Sequence, residues 1–348
     1  MRQPEEGNDS VPDFDTEGVR KLSAPFPWFG GKRKVAKEVW RRFGRVTNYV
    51  EPFFGSGAVL LGRPHPEGTE TVNDLDGLVA NFWRATSRDP EGVAHWADNP
   101  VNENDKHARH IWLVERMESL QRKLEGDPDY YDAKIAGWWV WGVCCHIAGG
   151  FCSGRGPWGL NENRQLVRLN GGGHGGITRS IVSLVNPGIG VNRPTIIGEH
   201  GERLIDWFGA LSERLRYVRV CSGDWSRITS SGVTSGLTGV FLDPPYADTA
   251  DRTDNVYRKD SNDVAHLVRE WAIANGHRAS LRIALCGYDG EHVMPPSWSV
   301  HEWSAGEGYG AYLKVSEATN NGKRERIWFS PACLNPGDLG LFDVEQVD

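Results

Sequence analysis

Past a polar opening segment, the apolar residues of this chain fall into short unbroken runs alternating with stripes at helical spacing. Val35, Val39, Trp40 and Phe43 recur every three or four residues behind the turn Gly30-Gly31-Lys32, which predicts a helix. Val46 to Phe54 reads as a buried strand running into the glycine turn Gly55-Ser56-Gly57, and Ala58-Val59-Leu60-Leu61 opens a helix after it. Thr69 to Asn73 reads as a short second strand. Asp76 to Thr86 carries Leu78, Val79, Phe82 and Trp83 on one helical face. A strand–turn–helix–strand–helix succession is the beginning of a parallel α/β sheet.

Residues 103–147 are helical in pattern and rich in tryptophan, whereas 149–200 are dense in glycine, with 171–176 reading Gly-Gly-Gly-His-Gly-Gly. We read the latter as an inserted region of long loops. Regular order resumes with a helix at 201–216 and strands at 217–221 and 239–242, the last ending directly on Asp243. Ser261 can cap a helix reaching Asn275, with Val264, Leu267, Val268 and Trp271 on one face. Arg282 to Cys286 is a further strand, and Val300–Trp303 with Glu325–Phe329 a terminal pair. No internal repeat is evident. The expected organisation is one α/β domain assembled from 23–86 and 217–333, an insert at 87–216, a disordered acidic tail at 1–22 and a second acidic tail at 334–348.

Charge modifies this picture. The formal net charge is -7, yet residues 1–17 sum to -5 and residues 338–348 to -4, which leaves +2 for everything between. A mildly positive body can hold nucleic acid through a local patch. The patch expected here is 151–200, where Arg155, Arg164, Arg168, Arg179 and Arg193 face only Glu162 and Glu199. No apolar run is long enough for a membrane span and no signal-peptide pattern opens the chain, so a cytoplasmic protein is expected. The six cysteines lack any CxxC pair. Reduced thiols are expected, and Cys144, Cys145, His146 and Cys152 match no standard zinc spacing, so no metal is expected.

Chemistry concentrates at Phe241-Leu242-Asp243-Pro244-Pro245-Tyr246. Ligands of open α/β sheets bind outside the carboxyl ends of strands. Two consecutive prolines remove two N–H donors, leaving carbonyls to face the site. An aromatic amine placed there can donate one hydrogen to the Asp243 carboxylate and one to the Pro244 carbonyl, which frees its lone pair for an electrophile. Tyr246 offers a face on which an extruded base can stack.

Glu51-Pro52-Phe53-Phe54-Gly55-Ser56-Gly57 is a second candidate: Gly55 and Gly57 let backbone N–H groups approach a ligand. The third glycine of a dinucleotide fingerprint is replaced by Leu60, and the leading acid suits a cationic ligand better than a pyrophosphate. Asp74 follows at the distance expected of a ribose-binding acid, with Asp76 expected to cap the next helix. Trp28-Phe29-Gly30-Gly31-Lys32 could hold a carboxylate, and Asp224, in Gly223-Asp224-Trp225, could accept from an adenine amine.

With these pieces in this order, the chain resembles the Dam-type DNA adenine methyltransferases, particularly phage-borne members. The matching elements are the Trp28-to-Lys32 turn, the 51–57 loop, Asn73-Asp74, Asp224-Trp225, Asp243 to Tyr246 and Arg324 to Phe329, covering roughly 25–330. The resemblance implies a Rossmann-like class I methyltransferase sheet with an inserted helical and loop-rich target-recognition region. It implies S-adenosylmethionine as cofactor, with Trp28, Gly31, Lys32, Glu51, Phe53, Gly55, Gly57, Asp74, Asp224 and Asp243 at its site. Asp243, Pro244, Pro245 and Tyr246 are implied to be catalytic in direct methyl transfer to adenine in double-stranded DNA, by a monomer or weak dimer.

The arginines of 151–200 and Arg258 are the candidates for DNA contact; whether each reads phosphate or base is open. The long glycine-rich insert is unlike the compact target domain of the best-known bacterial members. An amino-methyltransferase acting on RNA or cytosine, and an inactive DNA-binding relative, stand as alternatives. Asp at position 243 favours adenine over cytosine, and intact Asp243, Tyr246 and Asp74 argue against an inactive relative.

Overall fold

The computed structural model describes residues 22–28, 32–145, 151–152, 158–160, 166–168, 204–246, 262–303 and 324–335. Its centre is a sheet of seven strands. In chain order the strands are β1 (Asn48–Glu51), β2 (Thr69–Asp74), β5 (Val218–Ser222), β6 (Thr238–Leu242), β7 (Leu281–Tyr288), β8 (Ser299–Glu302) and β9 (Glu325–Phe329). A separate short antiparallel pair, β3 (Trp158–Leu160) and β4 (Leu166–Arg168), lies within the glycine-rich segment.

The spatial order is β5-β2-β1-β6-β7-β9-β8. The first five run parallel, and β9 runs antiparallel between β7 and β8. This is the Rossmann-like methyltransferase sheet, with one reversed strand slotted in near its edge. Order reverses beside β1, which has β2 on one side and β6 on the other, so the ligand crevice of such a sheet opens at the carboxyl ends of β1 and β6.

Both faces of the sheet are covered. Tyr49, Phe241, Cys286, Ile327 and Phe329 point into one core, while Val50, Val240, Leu242, Ile283, Leu285 and Trp328 point into the other. That alternation is the two-residue period of a strand, and burial on both sides explains why these strands read as unbroken apolar runs.

Helix α1 (Arg33–Phe43) buries Val35, Val39, Trp40 and Phe43 in the first core, as their spacing required. Helices α2 (Ala58–Leu61), α3 (Gly77–Arg88), α4 (Pro90–Ala97), α5 (Glu103–Val114), α6 (Met117–Gly126), α7 (Ala133–Cys145) and α8 (Leu204–Leu215) follow. Helix α9 (Asn262–Asn275) covers the second face through Val268 and Ala272.

The tryptophan-rich helices pack on the same core as α3: the Phe82 ring lies 5.7 Å from that of Trp139 and 6.0 Å from that of Phe208. Gly137 lets α7 press against α4, since a Cβ there would sit 2.5 Å from that of Trp96. Arg214, near the end of α8, reaches Glu70 on β2 at 2.6 Å, and Glu70 also pairs with buried Arg63 at 3.0 Å.

Two local expectations change. The first strand is only Asn48–Glu51, because Pro52 starts the turn, and α4 was not distinguished in the sequence. The tail beyond 335 and most of the tail before 22 lie outside the described residues, as do 169–203.

Candidate active site

Four of the five parallel strands end at or just before an acid: Glu51 ends β1, Asp74 ends β2, Asp224 follows β5 and Asp243 follows β6. A further acid arrives from the opposite direction. Because β9 is antiparallel, its first residue, Glu325, lies beside Tyr288 at the carboxyl end of β7.

The glycine turn is built by backbone constraint. Gly55 and Gly57 have φ of +47° and +71°, a region that favours glycine, and a Cβ on Gly55 would lie 2.5 Å from the Trp28 indole nitrogen. Trp28 therefore lies directly against the turn. The Gly55 N–H donates to Asp74 Oδ2 at 2.9 Å, and the other Asp74 oxygen accepts from the Asp76 N–H at 2.8 Å. Asp76 caps α3 through the Leu78 N–H, as its position suggested. Asn73 donates to the carbonyls of Pro52 and Gly223, so the loops after β1, β2 and β5 are joined into one rim.

Aromatic rings line part of that rim. Phe53 stacks on Trp225 with centroids 6.4 Å apart and planes 29° apart, and Trp271 meets Trp225 edge-on. Asp224 is exposed and accepts from the Ser226 N–H as the cap of a short 3-10 helix (Trp225–Ile228). Glu51, expected from its place before the turn to suit a cationic ligand, is buried against its own strand. It is 2% exposed and accepts from the Tyr49 hydroxyl at 2.8 Å, and burial pushes its carboxyl well above the usual carboxylate range. Burial outweighs the hydrogen bond from Tyr49, which by itself favours the charged carboxylate.

Beneath the rim, Lys32, Asp243, Tyr246 and Glu325 meet. Lys32 Nζ is 3.0 Å from Asp243 Oδ1, 3.1 Å from the Tyr246 hydroxyl oxygen and 3.8 Å from Glu325 Oε2. The Tyr246 hydroxyl is 2.8 Å from Glu325 Oε2 and 3.2 Å from Asp243 Oδ1. Burial pushes the Glu325 carboxyl up while the Lys32 charge opposes that shift, and burial with the two carboxylates pushes the Tyr246 phenol up. Asp243 is the partly open member, its side chain 15% exposed against 5% for Lys32 and 4% for Glu325. Pro244 is buried and Pro245 half-buried, so the chain leaves β6 without offering N–H groups at these two positions.

Tyr246 does not present the open stacking face read from its sequence. It is 7% exposed, its hydroxyl is drawn into the Lys32 cluster, and its ring meets Tyr288 edge-on at 4.6 Å.

Residues 28–134 match the sequence model of the family described as D12 class N6 adenine-specific DNA methyltransferase. The chain is similar to the D12 class adenine methyltransferases. The matched span carries Trp28, Lys32, the glycine turn and Asp74, while Asp243, Tyr246 and Glu325 lie beyond it and are joined to it by the sheet. Among curated proteins, the DNA N-6-adenine-methyltransferase of Escherichia phage P1 is 29% identical over 68 residues, 20% of this chain and 9% of that protein. The DNA adenine methylases of two strains of Vibrio cholerae serotype O1 are each 27% identical over 79 residues, 23% of this chain and 28% of theirs. The chain thus spans less than a third of the length of the curated relatives it matches.

Gly31, Arg155, Arg164, Arg179, Arg193 and Arg258 lie outside the described residues, and Arg168 is described only as backbone on β4. Among the described residues, no helix is long and apolar enough to cross a membrane, and Cys144, Cys145 and Cys152 are buried. Sequence reasoning missed Glu325 as a site residue: it was read only as part of a closing strand, and nothing in a linear pattern says that this strand runs backwards.

Proposed function

We propose that this protein is a DNA adenine methyltransferase that uses S-adenosylmethionine to methylate the exocyclic amine of adenine in double-stranded DNA. The observation that carries the reading is Asp243 at the carboxyl end of β6, partly open and paired with buried Lys32 at 3.0 Å. A carboxylate so placed can accept a hydrogen from an amine. The match of residues 28–134 to an adenine-specific family supports the same substrate.

The rim suits the cofactor. The left-handed glycines bring backbone close to a ligand without side chains, the Phe53–Trp225 stack supplies apolar ring surface, and Asp74 and Asp224 supply acceptors for hydroxyl and amine groups. Trp28, Lys32, Phe53, Gly55, Gly57, Asp74 and Asp224 would hold it. When bound, S-adenosylmethionine supplies an electrophilic methyl carbon.

The chain's own part is to hold the amine. Asp243 Oδ accepts one hydrogen and the Pro244 carbonyl the other, which directs the nitrogen lone pair outward. The nitrogen that gains the methyl sheds a proton, for which the Asp243 carboxylate is the acceptor next to it, while the electron pair of the broken C–S bond would stay with the cofactor's sulfur, which leaves as the thioether. Neither a metal nor a covalent enzyme intermediate enters this scheme.

The arginines of 151–200, within the 87–216 insert, are proposed to grip DNA around the target and Arg258 to reach the backbone beside it. A monomer or weak dimer in a bacterial cytoplasm fits this role. Tritiated methyl transfer to unmethylated plasmid tests the reading. Label in adenine is expected from the wild-type protein and none from Asp243→Ala; wild-type protein that binds cofactor yet leaves DNA unlabelled would sink it.

A further inference from the structure

We infer that Glu325 is a positioning residue for methyl transfer: it takes the single hydrogen of the Tyr246 hydroxyl and so leaves Asp243 free to accept from the target amine. This rests on the proposed adenine methylation. The juxtaposition that carries it is one hydroxyl between two carboxylates. Tyr246 Oη is 2.8 Å from Glu325 Oε2 and 3.2 Å from Asp243 Oδ1, and a phenol has one hydrogen to give.

Lys32 donates into the same hydroxyl oxygen at 3.1 Å, which leaves outward donation by Tyr246 as the open variable. If the hydrogen turned to Asp243, it would occupy an acceptor site on Oδ1, which already faces Lys32 at 3.0 Å. Donation to Glu325 keeps Asp243 an acceptor toward the crevice. Charge points the same way. Among the described residues, Lys32 is the cation that lies against both Asp243 and Glu325, at 3.0 and 3.8 Å. Glu325 is the more enclosed of the two carboxylates, its side chain 4% exposed against 15% for Asp243. Placing the phenol hydrogen on the enclosed carboxylate satisfies a group that water cannot reach.

The arrangement exists only because β9 is antiparallel. A parallel strand would put its C-terminal residue at this edge, and Glu325 would lie at the far end of the sheet.

The test is single-turnover methyl transfer to plasmid by wild type, Glu325→Ala, Tyr246→Phe and the double variant. Glu325→Ala should slow transfer roughly tenfold to a hundredfold, the size of a misdirected charged hydrogen bond. Its affinity for S-adenosylhomocysteine by calorimetry should stay within about threefold of wild type, as a positioning role and not a collapsed site requires. Adding Tyr246→Phe to Glu325→Ala removes the competing hydrogen and should raise the rate above that of Glu325→Ala alone. If Glu325→Ala does not fold, Glu325→Gln keeps the volume; its neutral carbonyl competes poorly with Asp243, so the same loss and the same rescue are expected. Wild-type speed in the Glu325 variant, or a double variant no faster than it, would overturn the role. Wild type that leaves DNA unlabelled would overturn the adenine reading itself, and the role with it.

Discussion

Lys32 Nζ and Asp243 Oδ1 form an ion pair of 3.0 Å that is almost closed to water, one partner from the turn before α1 and the other from the end of β6. The pair ties the N-terminal turn to the sheet.

Removing the cation should cost the fold as well as the chemistry. Lys32→Met leaves Asp243 without its partner in a mostly buried setting, which costs about 3 kcal/mol or more. Urea unfolding measures it, and a loss under about 1 kcal/mol would show that the pair is solvated in solution.

Asp243→Asn keeps the shape and removes the charge. Methyl transfer should fall roughly 100- to 1,000-fold, with cofactor affinity little changed. Retained turnover would mean that the carboxylate does not hold the amine.

Glu51 predicts a pH effect on stability. Its folded pKa is raised by burial above the unfolded value. The stability it contributes is therefore fully present below the unfolded carboxylate range and is lost as pH rises through the raised folded pKa. Glu325, also raised, acts with the same sign. Glu51→Gln mimics the protonated form, so its thermal midpoint should gain on that of wild type as pH increases from about 4.3 upward. A wild-type-to-variant difference that does not move with pH would contradict a buried, protonated Glu51.

The glycine turn can be tested at one atom. Gly55→Ala forces a side chain onto a backbone with φ of +47° and into the Trp28 ring. It should destabilise the fold by about 1–3 kcal/mol and weaken cofactor binding. Chemical denaturation and calorimetry read the two effects separately.

Phe53→Ala removes one wall of the aromatic slot; Phe53 is only partly buried and packs at the margin of the second core. Affinity for S-adenosylhomocysteine should drop roughly tenfold, equivalent to about 1.4 kcal/mol. Unaltered affinity would place the cofactor away from this stack.

The helices and strands were legible wherever one periodicity ruled locally. Val35, Val39, Trp40 and Phe43 announced α1, and the apolar run before Asp243 announced β6. Boundaries were less legible: Pro52 cut the first strand short, and α4, at Pro90–Ala97, had too brief a stripe to stand out beside its longer neighbours. Glu51 was misjudged because an acid before a glycine turn looks the same in sequence whether it faces a ligand or a tyrosine of its own strand. Tyr246 was misjudged for the same reason, since its hydroxyl found buried partners that no neighbouring residue supplies.

By itself, then, the sequence determined the order of elements, the glycine turn and the acid closing β6, because each depends on residues within one or two turns of chain. The tertiary structure alone decided that Lys32 would meet Asp243, that Glu51 would be sealed in the core and that Glu325 would stand beside Tyr246. Those outcomes depend on which strands become neighbours and on the direction in which β9 runs, and strand pairing is set by burying two faces of one sheet at once, a property of the whole chain that no local pattern records.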